Sequence, residues 1–276
     1  MDYALVVDSC CDLTEQMRAE MNASIVPLAI SLGAKLMLDD EALLVSDMLS
    51  QIAHSKEKLS SGAPAPARYL DAMRKAATSF VVTLSSRLSG SYASAMVAKE
   101  MAEEEGRKVY VVDSKSASAG EVLLAIKIHE MIKQKWEAAK IYERAKAIVK
   151  DMKTYFVLEN LDVMVKNGRL HKITSKLLTA LTIRPILGSD GDGNVALFSH
   201  ARGQKQAVEK LADTIEKSGK NTEGETLVIA HCNNISMAER LKELIAVRYA
   251  FRDIWIVATR GISSMYASDK GIIMAF

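Results

Sequence analysis

Residues 79–105 read SFVVTLSSRLSGSYASAMVAKEMAEEE, a short apolar run followed by a serine-rich loop and an alanine-rich segment. The apolar run, residues 79–84, is rich in β-branched side chains and indicates a β-strand. The alanine-rich segment, residues 92–105, is typical of an α-helix. A strand that passes through a loop into a helix is half of a βαβ unit, whose two strands are parallel.

The same alternation continues on both sides of this stretch. Predicted strands cover residues 3–7, 24–30, 79–84 and 108–112, and predicted helices cover residues 13–21, 46–54, 68–77, 92–105 and 120–133. Strands that alternate with helices predict an α/β fold with a parallel sheet and crossover helices.

The pattern changes after residue 153. A strand at 154–158 precedes a helix at 161–167, which ends at Gly168 as a left-handed cap. The remaining predicted elements are a helix at 174–181, a β-hairpin of 183–188 and 194–200 around the turn 189–193, helices at 204–217 and 236–247, and strands at 226–231 and 254–258. We expect an N-terminal α/β domain of residues 1–153 and a second, mixed α/β domain of residues 154–276.

Composition excludes several classes of protein. The 276 residues are 49% hydrophobic and 25% charged, and 36 basic against 34 acidic side chains give a net charge of +2 without a basic block. This balance argues against nucleic acid as the main partner. No apolar run reaches the roughly 18 residues of a membrane span, and no signal peptide is recognisable. Three cysteines, two of them adjacent, favour a reducing cytoplasm.

Known catalytic and metal-binding motifs are missing from the sequence. There is no P-loop, no nucleophile elbow and no paired spacing among the five histidines. The run Asp190-Gly191-Asp192-Gly193-Asn194 resembles the opening of a calcium loop, but Val195 replaces the required glycine, so a hairpin turn is the better interpretation. The sequence therefore predicts no catalytic residue, metal or cofactor.

Small hydroxyl side chains follow three of the predicted strands. They lie in residues 8–11, 85–91 and 113–118, and a fourth polar segment covers residues 60–62. Ligands of open parallel sheets bind outside the carboxyl ends of the strands, where hydroxyl and backbone N–H groups hold a carboxylate or phosphate. Each serine alone is also a good helix N-cap, and that interpretation stays open.

These loops belong to an ordered series of motifs that runs through the whole chain. The motifs are residues 7–9, 61–66 (SGAPAP), 84–92 (LSSRLSGSY), 112–114 with 118–120, 161–169 and 183–187 (IRPIL). The series resembles the DegV family of bacterial fatty-acid-binding proteins. The resemblance implies a two-domain DegV-like fold that encloses one long-chain fatty acid between its domains. Some members of the family present the bound acid to a separate fatty acid kinase and have no catalytic residues of their own.

The resemblance also implies which residues bind the ligand. Ser61 takes the place of a family threonine, and Arg169 holds the Gly-Arg position. The loop of residues 85–91, which we call the hydroxyl loop, supplies Ser85, Ser86, Ser89 and Gly90.

The C-terminal motif departs from the family pattern. Tyr266 stands where the family has histidine, and Ser268 and Lys270 replace glycines. A phenol donates a hydrogen bond but is neutral at pH 7. Two interpretations are open. Either Tyr266 and Lys270 take over the contacts to the carboxylate of the ligand, or Lys270 is solvated and only fills the loop.

Three functions stay open from the sequence. The first is a non-enzymatic carrier of a long-chain fatty acid, and the second is a hydrolase or acyltransferase that uses a loop serine or Cys10. The third is a binder of a different amphiphile, suggested by Tyr266 and Lys270. The Leu- and Met-rich stretches 123–131 and 177–181 either line an acyl tunnel or belong to the core.

Overall fold

A computed structural model describes residues 3–170 and 183–276. The predicted helix at 174–181, and with it the stretch 177–181, lies outside the described residues. The elements of the first half are β1 (Tyr3–Asp8), α1 (Glu15–Met21), β2 (Ala23–Val26), β3 (Ala29–Leu32), β4 (Lys35–Leu38), α2 (Val45–His54), β5 (Leu59–Gly62), α3 (Pro66–Met73), β6 (Thr78–Thr83), α4 (Ser91–Glu104), β7 (Lys108–Asp113), α5 (Ala119–Lys133) and α6 (Ala138–Asp151). Those of the second half are β8 (Thr154–Val157), α7 (Asp162–Lys166), β9 (Ile183–Ser189), β10 (Val195–Arg202), α8 (Gly203–Lys217), β11 (Thr226–His231), α9 (Ile235–Arg248), β12 (Asp253–Ala258), α10 (Gly261–Ala267) and β13 (Ile272–Ala275).

The first half contains the predicted parallel sheet. Its strand order is β2-β1-β6-β7, and all three neighbouring pairs are parallel. The α/β prediction is therefore confirmed. Because the strands are parallel, the loops after β1, β6 and β7 meet at one edge, which gathers the hydroxyl-rich segments.

The single predicted strand at 24–30 is wrong. The chain forms β2 and β3 there, and β3 joins β4 and β5 in a separate antiparallel sheet of order β4-β3-β5. Pro27 lies between the two strands, and its ring nitrogen cannot donate a ladder hydrogen bond. The chain therefore leaves the first sheet at this point.

The second half forms a mixed sheet of order β10-β9-β8-β13-β11-β12. Among the described strands of this sheet, β11 and β12 are the one parallel pair, which confirms the expected mixed α/β architecture. The last strand, β13, was not predicted, and it inserts between β8 and β11. The predicted cap is confirmed, since Gly168 has a φ of +69° just after α7.

Helix α5 lies between the two large sheets. It contacts β1 and β6 on one side and β11 and β13 on the other. Its apolar side chains are buried in every direction, among them Val122, Leu124 and Ile128. A helix whose apolar side chains are buried on opposite sides belongs to a core. The stretch 123–131 is therefore core and does not line the cavity described below.

Candidate functional site

A cavity lies between the inner face of the mixed sheet and the loops at the carboxyl edge of the parallel sheet. The space within it that is accessible to the centre of a water molecule is about 110 Å³, and its total volume, counted into open solvent, is about 870 Å³. Most of its lining surface is apolar, and the aliphatic, aromatic and thioether side chains there include Leu28, Leu84, Leu88, Phe156, Leu158, Met164, Val195, Ile262, Ala267 and Ile273. The cavity can therefore hide a large apolar group from water.

The long axis of the cavity runs along strand β8. Thr154 and Phe156 of β8, and Leu158 directly after it, alternate along the chain and line the cavity over about 13 Å. Beyond Leu158 lie α7 and Arg169, whereas Thr154 meets Ser116 at an Oγ1–Oγ distance of 2.7 Å. The two ends of the cavity are thus built from different parts of the chain.

The end near Leu158 carries hydrogen-bonding side chains, and we call it the head end. Ser61 Oγ and Tyr266 Oη share a hydrogen bond of 2.8 Å. The Arg169 guanidinium lies 5.9 Å from the centre of the Tyr266 ring. Ser89 also lines the cavity, and each of these four residues is partly exposed while the apolar lining is largely buried. A polar group bound here could be reached from solvent.

Arg169 joins the two halves of the protein at the head end. Its Nε donates to the Leu88 carbonyl at 3.1 Å, and its Nη1 donates to the Asn167 carbonyl. These contacts fix the guanidinium beside Ser89 in the hydroxyl loop. A positive charge held in this way favours an anionic partner.

Tyr266 reaches the cavity because Asp39 holds helix α10. The carboxylate of Asp39 accepts the N–H groups of Gly261 and Ile262 at 2.9 and 2.8 Å. A side chain at position 261 would come within 2.6 Å of Asp39 Oδ1, so only glycine permits this approach. Burial raises the pKa of Asp39. The sequence pattern did not reveal either α10 or this contact, which spans more than half the chain.

The other predicted residues of the hydroxyl loop do not line the cavity. Ser85 is buried and donates from Oγ to the Gly193 carbonyl at 2.8 Å. Ser86 is exposed and donates from Oγ to Asp113 at 2.5 Å. Gly90 immediately precedes α4 and approaches Ala63. For these three residues, a role in ligand binding stays a prediction.

Lys270 lies on the opposite face of the mixed sheet. It is exposed beside a crevice that Glu159, Arg184 and Asn234 also line, and its carbonyl accepts from Asn234 Nδ2 at 2.8 Å. Its φ of +67° falls in the left-handed region that favours glycine, which explains why glycine suits this position. Of the three departures Tyr266, Ser268 and Lys270, Tyr266 is the one that lines the cavity.

Buried aspartate side chains accept hydrogen bonds from the loops at the edge of the parallel sheet. The sequence pattern did not single out these aspartates as loop contacts. Asp8 accepts hydrogen bonds from the N–H of Leu84 at 2.9 Å and from the Ser91 hydroxyl at 2.6 Å. Burial raises the pKa of Asp8. Asp12 accepts from the Ser118 hydroxyl at 2.5 Å. Many of the predicted hydroxyls therefore hold loops together rather than capping helices.

Cys10 lines the cavity but is a poor nucleophile. Its Sγ lies 3.6 Å from Ser263 Oγ. Burial and the neighbouring carboxyl groups raise the pKa of the thiol well above its usual range, which disfavours the reactive thiolate.

A family model described as an uncharacterised protein of the DegV family matches residues 2–271. The chain belongs to the DegV family. A DegV domain-containing protein of Streptococcus pyogenes, M5005_Spy1391, is 33% identical over 280 residues, which cover 100% of this chain and 99% of the relative. The predicted family is therefore confirmed.

Solved structures of DegV proteins match the whole fold. A DegV family protein from Ruminococcus gnavus, refined with vaccenic acid, is 38% identical with a TM-score of 0.95, covering 99% of both chains. The Fatty Acid Kinase (Fak) B3 protein of Streptococcus pneumoniae, loaded with linoleic acid, is 31% identical with a TM-score of 0.92, covering 100% of this chain and 99% of that one. A DegV protein from Eubacterium eligens, loaded with heptadecanoic acid, is 28% identical with a TM-score of 0.91, covering 99% and 98%.

Within residues 3–170 and 183–276, no helix combines the length and the apolar character needed to cross a bilayer.

Proposed function

We propose that this DegV protein binds one long-chain fatty acid without chemical change, with its carboxylate at the head end. The observation that carries the proposal is an apolar cavity with Ser61, Ser89, Tyr266 and Arg169 at one end. Fatty acids bound to three similar DegV proteins support the same ligand class here.

The energetics favour an acyl chain. Burying about 14 methylenes at ~0.8 kcal/mol each yields roughly 11 kcal/mol before the entropy of ordering is subtracted. Charge-assisted hydrogen bonds of about 1.5–3 kcal/mol each then select the carboxylate and orient it. The tail provides affinity and the head end provides specificity.

Presentation to a fatty acid kinase is the second part of the proposal. The head-end residues are partly exposed, so a bound carboxylate would be open to a partner enzyme. The similarity to the S. pneumoniae Fak B3 protein supports such a partner.

We also propose residues 1–153 and 154–276 as the two domains, and the cytoplasm as the compartment, since Cys10, Cys11 and Cys232 are free thiols.

Extraction of the purified protein tests the ligand directly. Native mass spectrometry and organic extraction should yield a fatty acid in a ratio near one per chain. Incubation with an activated acyl ester should give neither a burst of product nor a covalent adduct. A burst or adduct would instead support the hydrolase or acyltransferase, and tighter binding of acyl phosphates or amides would support another amphiphile.

Truncating a head-end serine should weaken binding of the acid selectively. Ser61→Ala and Ser89→Ala should each raise the Kd of palmitic acid about five- to tenfold, because each removes one hydrogen bond of about 1 kcal/mol or more. The Kd of hexadecanol should change less. Ser60→Ala is the matched control, since alternation along β5 turns Ser60 to the opposite face. Equal losses for acid and alcohol would contradict the assignment.

Restoring histidine at position 266 should make binding depend on pH. Tyr266→His introduces a side chain that gains a positive charge below about pH 6.5, so affinity for the acid should rise roughly tenfold from about pH 8 to 5.5. The parent protein provides the reference profile for the same titrations. Parallel pH profiles for the two proteins would show that position 266 does not contact the carboxylate.

A further inference from the structure

The far end of the cavity, opposite Arg169 and Tyr266, is lined by the turn of the β9–β10 hairpin. Ser189, Gly193, Asn194 and Val195 line the cavity there. Gly188, just before the turn, pairs with Tyr155, so the turn lies near the start of β8, about 13 Å from Leu158 at the usual rise per strand residue. An acyl chain that enters with its carboxylate at the head end would direct its methyl end at this turn.

The turn is internally braced. Asp190 Oδ1 accepts the N–H groups of Asp192 and Asn194 at 2.9 and 3.1 Å, and Asp190 Oδ2 accepts from Asn194 Nδ2 at 3.0 Å. Gly191 and Gly193 both have a φ of +92°, which side chains rarely adopt. A turn held in this way resists displacement better than an unbraced loop.

Three contacts seat the turn on loops of the first half of the chain. Ser85 Oγ donates to the Gly193 carbonyl at 2.8 Å, and Ser189 Oγ donates to the Lys115 carbonyl at 3.1 Å. Lys115 Nζ lies 3.7 Å from Asp192 Oδ1. A Cβ atom on Gly193 would come within 2.3 Å of Ser85 Oγ, so the seat itself requires glycine.

We propose that this seated turn is a fixed end wall that sets the longest acyl chain the protein accepts. Val195 forms the apolar surface of the wall, and Ser85 latches it. The inference rests on the proposed function and adds the length class of the ligand. Up to the limit, each added methylene improves Kd about fourfold, because burying it contributes about 0.8 kcal/mol. Beyond the limit, the gain stops or reverses.

Substitutions at Val195 test the wall. Phenylalanine has four more side-chain carbons than valine, so Val195→Phe should move the optimum of a series from lauric to arachidic acid towards the shorter acids and weaken stearic acid at least tenfold. Val195→Ala should move the optimum towards the longer acids. Val247→Phe is the matched control, because Val247 is 88% exposed on α9. Thermal unfolding and circular dichroism check that each variant is folded.

Substitution of Ser85 tests the latch. Ser85→Ala should flatten the length profile, so that arachidic acid binds nearly as well as palmitic acid, while the ratio of acid to alcohol affinity stays within twofold. If that ratio falls while the length optimum stays unchanged, Ser85 contacts the carboxylate and the latch is wrong.

The outcomes separate the two proposals. If no fatty acid of the series binds the parent protein, the proposed function fails. If the parent binds but its optimum is unchanged in both Val195 variants, the end wall fails and the proposed function stands. Opposite shifts in Val195→Phe and Val195→Ala, with Val247→Phe like the parent, support the wall.

Discussion

Replacing Arg169 with alanine should weaken binding of palmitic acid by about ten- to a hundredfold, because a charge-assisted hydrogen bond to a carboxylate contributes about 1.5–3 kcal/mol. The loss should be much smaller for hexadecanol, which carries no charge. Arg169 also donates to the Leu88 and Asn167 carbonyls. Its replacement by alanine therefore removes the positive charge and also loosens the hydroxyl loop.

Lysine at position 169 separates these two effects. Arg169→Lys keeps the charge but cannot reproduce the planar fork that reaches two carbonyls. We expect Arg169→Lys to recover part of the preference for acid over alcohol. Arg240→Ala on α9 serves as the control, since Arg240 is exposed and does not line the cavity. Equal losses for acid and alcohol in Arg169→Ala would mean that the guanidinium acts only on the loop.

Replacing Asp12 with asparagine should flatten the dependence of stability on pH. Burial raises the pKa of Asp12 from 3.8 to about 7, against hydrogen bonds from the Arg260 N–H and the Ser118 hydroxyl that lower it. The folded state therefore holds the proton more tightly than the unfolded chain. Stability that comes from protonated Asp12 is complete below about pH 3.8 and is lost as the pH rises to about 7.

The free energy of unfolding that depends on Asp12 follows from the difference between its two pKa values, 3.8 and about 7. At about 1.4 kcal/mol per pH unit, Asp12 accounts for about 4 kcal/mol of stability lost between these pH values. Asparagine keeps an acceptor for the Arg260 N–H and can donate to the Ser118 hydroxyl.

Urea unfolding at several pH values measures the effect. Asp12→Asn should be more stable than the parent by a few kcal/mol at about pH 8 and no more stable at about pH 4. Asp8, Asp39 and Glu121 are also buried with raised pKa values, so the parent should keep a slope in the same direction when Asp12 is removed. Asp47→Asn, an exposed change on α2, should follow the parent. Parallel curves for Asp12→Asn and the parent would refute the assignment.

Local patterns predicted the parallel sheet and part of the site. The short apolar runs that became β1, β6 and β7 are rich in β-branched residues, as is typical of strands buried on both faces of a parallel sheet. The hydroxyl residues after these strands meet because parallel strands end at one edge. Gly168 ends α7 in the left-handed conformation that its sequence position indicates. The ordered motifs identified the family.

Long-range contacts decided the rest. Ser61 meets Tyr266 across 205 residues, and Asp39 holds Gly261 across 222 residues. Ser85 and Ser89 are both hydroxyls in one loop, yet Ser85 turns to the hairpin at Gly193 while Ser89 lines the cavity. The periodicity of the sequence predicts on which face of its own helix or strand a side chain lies. Which distant element covers that face is fixed by packing, and here the packing of α10 and the β9–β10 turn against the first half determines where the cavity begins and ends.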